Sequence, residues 1–276
     1  MIEREYDISG AIVFWSLQPT PYQALLEALR SKGYDDCMPN PRTDQSALVN
    51  AIKATYGTKN RAIVSRKKPS LNGVELLAIE RNQGRNYYTT SFGAKVVNRA
   101  VKADGGYANE QKLTEDFLTY KAVLTASAVS QALTEVLQRM DGVRGFDKPG
   151  IHYIPEHHLK GWKELADLVE GCQQGNKITT VRAAMDEGTA RAIRDALTKE
   201  VQEEAAQLLD DVSKGTLNDT QLQVRAQRAQ VLVDRVNLYS SILNEGLEGL
   251  KNVAQLANGA AAAAAMQDFA AAGLGV

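Results

Sequence analysis

The sequence predicts an α+β protein, in which an antiparallel sheet domain precedes a mainly helical domain. Short runs of β-branched and aromatic residues, separated by turn-forming residues, are concentrated before residue 106. Long stretches with apolar side chains at helical spacing follow it. Near the C-terminus these side chains recur at alternating steps of four and three residues, which is typical of paired helices. We therefore expect a mixed domain at residues 1–106, a mainly helical domain at 107–258 and an Ala/Gly-rich tail at 259–276.

The first domain begins with a strand and two helices. Residues 11–17 (AIVFWSL) form a compact apolar run that predicts a buried strand. In residues 20–23 (TPYQ) a hydroxyl, a proline and a glutamine stand where a capping box would begin a helix. A second helix is expected between Thr43, a good N-cap, and Gly57, a good C-cap.

Three strands are expected next, at residues 61–66, 74–81 and 86–97. The segments between them, KKPSLNG and NQG, are rich in the proline, asparagine and glycine that turns require. Because both connections are short, an antiparallel meander is the natural interpretation. The predicted order of the first domain is therefore β-α-α-β-β-β.

A long helix is predicted to begin the second domain. Apolar side chains recur at helical spacing from Leu113 to Met140, and the glycine-containing stretch 142–150 would end that helix. A brief strand at 151–154, a helix opened by Pro155 and a second brief strand at 177–181 are expected to follow.

Two long helices are then predicted to form an antiparallel hairpin. The first covers residues 187–213, and Lys214 and Gly215 would stop it. Residues 216–219 (TLND) resemble a capping box that starts the second. Helices joined by so short a turn fold back on each other.

The last predicted helix carries the most regular apolar pattern in the chain. From residue 222 to residue 257 the pattern repeats every 3.5 residues over five heptads, which favours left-handed helix pairing. Gly246 and Gly249 each cost a helix about 1 kcal/mol, so this segment needs a packing partner. We expect a coiled coil that makes the protein a homo-oligomer, through Val233, Val236, Leu243, Leu247 and Leu250.

Composition narrows the classes of protein. The 276 residues carry a formal net charge of -1, so attraction to nucleic acid would have to come from a local patch. Cys37 and Cys172 are far apart and form no CxxC pair, which implies neither a disulfide framework nor a cysteine-built zinc site. The N-terminus lacks the apolar core of a signal peptide, and no apolar run is long enough to span a bilayer. We expect a cytoplasmic protein with no membrane partner.

The charge is unevenly distributed. Between Lys59 and Lys102 ten basic residues and two acidic ones give a local charge of +8, so the remainder of the chain is acidic. Cations beside exposed rings suit single-stranded nucleic acid, because cations hold phosphates and bases stack on rings. The alternative is that lysine and arginine protect the edges of a small sheet from aggregation. The residues that would bind nucleic acid are Arg61, Arg66, Lys67, Lys68, Arg81, Arg85, Tyr87, Tyr88, Lys95 and Arg99.

No pattern predicts catalysis, a cofactor or a metal site. The three histidines all lie in IHYIPEHH (residues 151–158), but adjacent His157 and His158 lack the i, i+3 or i, i+4 spacing of helical ligands. The segment GCQQGNK (171–177) departs from a phosphate-binding loop in both spacing and context, and a glycine that ends a helix explains it better. We expect no enzyme activity.

The motif GIHYIP (150–155), followed by a helix, a short strand and two long helices, resembles an uncharacterised domain family of bacteria and their mobile elements. The resemblance covers residues 110–258. It implies no assigned activity and supplies no functional residues.

Two functions lead, and an enzyme whose catalytic carboxylates come together from distant segments ranks third. The leading hypothesis is a non-enzymatic oligomer that binds nucleic acid, single-stranded or without sequence preference, through the basic sheet. The alternative is a structural or adaptor protein that assembles through its C-terminal helices and binds no nucleic acid.

Overall fold

The computed structural model describes residues 8–65, 73–83, 85–104, 109–145, 150–215 and 217–273, and it confirms the α+β class. The strands are β1 (Ile8–Ser16), β2 (Thr20–Pro21), β3 (Arg61–Ser65), β4 (Gly73–Asn82), β5 (Arg85–Val97), β6 (Ala100–Asp104), β7 (Val123–Leu124), β8 (Ile151–Pro155) and β9 (Lys177–Ala184). The helices are α1 (Tyr22–Ser31), α2 (Asp44–Tyr56), α3 (Glu110–Ala122), α4 (Ala126–Arg139), α5 (Leu159–Cys172), α6 (Glu187–Ser213), α7 (Asp219–Ile242) and α8 (Glu248–Gly273). None of these helices combines the length and apolarity that crossing a bilayer requires.

Two compact units make up the chain, and each is built from separate segments. The sheet unit contains Ser16–Leu133 and Asp167–Lys177. The helical unit contains the chain up to Trp15, Thr134–Ala166 and the chain from Ile178 onward. Its three-stranded sheet has the order β8-β1-β9, so the first strand pairs with strands far along the chain. The units therefore interleave in sequence, and division into folding domains at residue 106 stays a prediction.

The sheet unit is built on a four-stranded antiparallel sheet with the order β3-β4-β5-β6. Side chains from α2, α3 and one face of this sheet form its core, including Leu48, Ile52, Leu76, Phe92 and Phe117. The meander is confirmed, but β6 was not predicted. Its connection to β5 is a two-residue turn in which Asn98 and Arg99 have φ angles of 49° and 64°. Such turns usually contain glycine, and its absence concealed the fourth strand.

The beginning of α1 differs from the prediction. Thr20 lies in β2, and its hydroxyl donates to the backbone oxygen of Gln18, 2.8 Å away, instead of capping the helix. The side chain of Asn176 holds this segment, because it donates to the Thr20 hydroxyl and accepts from the Gln18 amide. The caps of α2 are as predicted, with the Thr43 hydroxyl accepting from the Ser46 amide and Gly57 at the C-cap.

The single helix expected between Leu113 and Met140 is wrong. The chain becomes extended at Val123, where β7 pairs with β2, and α4 begins afterwards. The hydroxyl of Thr125 accepts from the Ala128 amide and so supplies an N-cap in the middle of the predicted helix. The apolar spacing continues across the break, which is why periodicity alone did not reveal it.

The helical unit packs α6, α7 and α8 against the β8-β1-β9 sheet. Arg225 pairs with Asp211 at one end of α6 and α7, and Arg194 pairs with Glu245 at the other, so these helices form the predicted antiparallel hairpin. The capping box of α7 is formed by Asn218 and Gln221, two residues later than predicted.

The uninterrupted helix predicted from residue 222 to residue 257 is also wrong. Helix α7 ends at Ile242, and α8 begins at Glu248 after a turn in which Asn244 has a φ of 48°. The Ser240 hydroxyl donates to the Glu245 carbonyl and accepts from the Leu247 amide, which stabilises the turn. The two halves of the heptad pattern thus pack against each other within one chain. The pattern was real, but the partner is the same chain.

Candidate nucleic-acid interface

A two-stranded arm extends from the sheet of the sheet unit. The pairing of β3 with β4 ends at Ala78, and the pairing of β6 with β5 begins at Gly93. Residues 79–82 and 85–90 therefore pair only with each other as strands. We call these residues the arm. Every side chain from Arg85 to Ser91 is exposed, whereas the next residue, Phe92, is buried.

An irregularity separates the arm from the core. The register shifts where Leu76 pairs with Phe92 and Leu77 pairs with Thr90, which leaves Ser91 as an extra residue in β5. Such a bulge increases the local twist and redirects the strand. It allows β5 to serve as a core strand at one end and as a solvated strand at the other.

Both tyrosines of the arm are exposed. Tyr87 is 51% exposed and Tyr88 is 59% exposed. Strand alternation in the sequence places the two rings on opposite faces and so predicts that at most one of them is exposed. This prediction is wrong, because both faces of a two-stranded arm reach solvent. The arm thus presents one ring on each face.

The predicted cations are divided between the two faces. Partners in an antiparallel pair share a face, and residues two apart in a strand do so as well. By this rule Arg61 and Arg85 lie on the face of Tyr87, whereas Lys95 lies on the face of Tyr88. Arg99 is exposed in the turn between β5 and β6.

These four cations make no ion pair with any described residue. By contrast, the amino group of Lys102 lies 3.2 Å from a carboxylate oxygen of Glu110 and is partly neutralised. Glu75 lies on the same face as Lys95, so that face also carries a negative charge. Arg66, Lys67 and Lys68 lie outside the described residues, and of Arg81 only the backbone is described.

The predicted oligomerisation residues lie in the core of the helical unit. Val233, Val236, Leu247 and Leu250 are buried against side chains of their own chain, and Leu243 is partly buried beside them. They therefore form no exposed seam, because the turn before α8 lets one half of the pattern cover the other. Self-association itself stays a prediction.

A buried ion pair in the helical unit escaped the sequence analysis. Glu200 and Arg235 are each 4% exposed, and their side chains meet at 3.1 Å. Glu200 also accepts from the side chains of Gln138 and Arg144. Burial alone would raise the pKa of Glu200, but the charges and hydrogen bonds of Arg235 and Arg144 outweigh it and lower the pKa. A signal existed, since Glu200 falls within the apolar stripe of α6 that contains Leu197 and Val201.

This pair adjoins a cleft of about 710 Å³ between α4, α6 and α7. Glu204 lines the cleft, and burial raises the pKa of its carboxyl group despite nearby Arg235. Arg144 and Arg235 also line it, but both guanidinium groups are already engaged by Glu200. Two of the cations that line the cleft are therefore already neutralised by a buried carboxylate.

The segments 171–177 and 151–158, which the sequence suggested as weak site candidates, lie in a turn and in a strand with the turn that follows it. Gly175, with a φ of 91°, and Asn176 form the turn after α5, where Asn176 holds backbone and side-chain groups of the sheet unit. His152 is buried in β8, whereas His157 and His158 follow that strand in a short 3₁₀ turn. The rings of His157 and His158 approach Asp141. Among the described residues, these three form the only group of three or more His, Cys, Asp or Glu side chains within metal-ligand distance of one another.

Comparison with known proteins gives a family and no further relative. A family model with the description "Family of unknown function (DUF6744)" matches residues 10–272. No curated protein and no solved structure matches the chain. The resemblance to an uncharacterised family is therefore confirmed in kind, and the match extends well beyond residues 110–258.

Proposed function

We propose that this chain, which belongs to the Family of unknown function (DUF6744), binds nucleic acid through the arm and the basic sheet around it. The observation that carries the proposal is the exposure of Tyr87 and Tyr88 on a ribbon that also carries Arg85. The preferred ligand is single-stranded, because free bases can stack on rings that project from an arm.

Energetics favour a weak site that tolerates many sequences. Base stacking on an aromatic side chain contributes about 1–3 kcal/mol per base, and every base offers a ring face. Arg61, Arg85, Lys95 and Arg99, which form no ion pair with the part of the chain that the structure describes, would supply phosphate contacts. Each contact to a single strand contributes about 0.7 to the slope of log affinity against log salt, so binding should weaken steeply as salt rises.

Replacing both tyrosines by alanine is expected to weaken binding at least about tenfold, because two stacking surfaces are lost. The measurement is fluorescence anisotropy of labelled oligo(dT) at about 50 mM salt, where phosphate contacts are least screened. The variant with Tyr87→Phe and Tyr88→Phe keeps the ring faces and should bind within about twofold of wild type. Equal losses in the alanine and phenylalanine variants would argue against stacking.

Charge reversal provides a separate test. The variant Arg61→Glu, Arg85→Glu and Lys95→Glu is expected to lose detectable binding and most of the salt dependence. Its control is Lys160→Glu, Lys163→Glu and Lys199→Glu, which changes three exposed cations of the helical unit by the same total charge. If both variants lose affinity equally, binding follows net charge and not the arm. Absence of binding by the wild type at low salt would overturn the proposal.

A further inference from the structure

We propose that Asp141, His157 and His158 bind a divalent first-row transition metal ion, independently of the arm. One ligand atom from each residue lies within 4.8 Å of the others. The Nε2 atom of His158 is 3.1 Å from Asp141 Oδ2, and that of His157 is 3.9 Å from the same oxygen. Around a tetrahedral zinc ion with bonds of about 2 Å, donor atoms are about 3.3 Å apart. Small side-chain rotations are therefore enough to reach ligand geometry.

Two imidazole rings converge on one carboxylate oxygen. The hydrogen bond of His158 accounts for one of them, but His157 is too far from that oxygen for a hydrogen bond of its own. The ring centroids of the two histidines are 4.2 Å apart, and one ligand atom of each ring lies within 4.8 Å of the other and of the carboxylate. A metal ion between them would accept lone pairs from both rings and the carboxylate at once.

The backbone beneath Asp141 is held in place. Asp141 has a φ of 54°, a left-handed conformation that requires support from its surroundings. The hydroxyl of Tyr239 donates to the Asp141 carbonyl at 2.6 Å, and Arg235 donates to the Gly142 carbonyl at 2.6 Å. Both donors come from buried side chains of α7. The carboxylate is thus presented by a loop that the core stabilises, as a rigid ligand requires.

The same loop is tied to the strand that carries the histidines. Val143 and Tyr153 exchange two backbone hydrogen bonds, of 2.9 and 3.0 Å. Tyr153 belongs to β8, and the 3₁₀ turn with His157 and His158 follows directly after Pro155. Ligands that are 16 and 17 residues apart in sequence are therefore held by one hydrogen-bonded framework.

The donor set indicates the class of metal. Two imidazole nitrogens and one carboxylate oxygen suit zinc, cobalt, nickel or ferrous iron, whereas calcium and magnesium prefer oxygen alone. The side chains keep between about a third and a half of their surface exposed, so an ion can enter and keep further positions for water. Spacing along the sequence did not predict this site, because the spacing rule assumes that both histidines lie on an α-helix. The sequence also does not show that Asp141 lies close enough to be the third ligand.

The test is calorimetric titration of the untagged 276-residue chain with Zn²⁺, together with the visible absorption of bound Co²⁺. We expect one Zn²⁺ per chain, and we expect Asp141→Asn or His158→Ala to weaken binding at least about tenfold. The visible absorption of bound Co²⁺ reports its ligands directly. We expect this absorption to shift in His157→Ala, because the ion loses one imidazole ligand, and a change in folding alone would not reproduce that shift. Circular dichroism verifies that each variant is folded.

The controls are Asp167→Asn, an exposed carboxylate in the sheet unit, and His152→Gln, the histidine that lies apart from the cluster. Both should bind Zn²⁺ within about twofold of wild type. Wild-type protein that binds neither ion would overturn the assignment. Binding that survives in the double variant His157→Ala and His158→Ala would overturn it as well.

Discussion

Replacing Arg235 by leucine is expected to lower the free energy of unfolding by about 3–5 kcal/mol. The substitution removes the cation that faces Glu200 and leaves a carboxylate that is almost fully buried. It also removes the donor to the Gly142 carbonyl, which would then lack a partner that this structure gives it. The measurement is urea denaturation of the wild type and the variant. If the two proteins share the same slope of free energy against urea concentration, the difference between their midpoints gives the change in stability.

The size of this effect should depend on burial and not on the loss of an arginine. Arg191→Leu provides the control, because its ion pair with Glu187 lies on the exposed face of α6. Exposed pairs contribute less than about 1 kcal/mol, so this variant should unfold close to wild type. If Arg191→Leu and Arg235→Leu destabilise the protein equally, the buried pair has no special role.

A second variant separates the pair from its unpaired charge. Replacing Glu200 by methionine together with Arg235→Leu removes both charges and fills similar space. Buried ion pairs replaced by apolar residues often lose little stability, so the double variant should recover most of the loss. A double variant as unstable as Arg235→Leu alone would show that the remaining hydrogen bonds of Gln138 and Arg144 carry the effect.

The sequence predicted helix bounds well where they depend on nearby residues, such as capping side chains and the spacing of apolar side chains. The bounds of α6 and both caps of α2 follow from helical spacing, Thr43 and Gly57. The breaks after Ala122 and Ile242 could not be read from periodicity, because the apolar spacing continues through them. In both places a hydroxyl group, of Thr125 or Ser240, satisfies backbone groups that a continuous helix would have paired.

The candidate sites show the same division. Charge and aromatic content identified the segment that carries Arg85, Tyr87 and Tyr88, since these are properties of the residues themselves. The proposed metal site could not be predicted from the sequence. It depends on the contact between Asp141 and His158, which the Val143–Tyr153 pair brings about through tertiary structure. The residues predicted for self-association pack within their own chain, because a heptad pattern does not state which helix covers it.

Acidification is expected to destabilise the helical unit through His152. This side chain is 6% exposed, and its ring stacks on Trp15 with centroids 4.7 Å apart. Burial, followed by the positive charge of Arg144, lowers the pKa of His152 to about 4 from a usual value of 6.5. Its Nδ1 atom is buried and has no hydrogen-bond partner among the described residues, which also disfavours a second proton.

The direction follows from proton binding in each state. Between pH 6.5 and about 4 the unfolded chain protonates this histidine, whereas the folded chain keeps it neutral. Stability from this group is therefore complete above pH 6.5 and falls as the pH is lowered toward 4. The difference between the two pKa values corresponds to about 3 kcal/mol at the acidic end.

The variant His152→Phe isolates this contribution, because phenylalanine keeps an aromatic ring beside Trp15 and cannot be protonated. We expect the free energies of unfolding of wild type and variant, measured in urea from about pH 7.5 to about pH 4, to diverge as the pH falls. Carboxylates that do not interact with His152 titrate in both proteins, so they cancel in the difference between the two curves. A difference that stays constant across this range would show that the folded protein accommodates the imidazolium at no cost. The protein would then tolerate a cation stacked on Trp15, and the ring contact itself would supply the compensation.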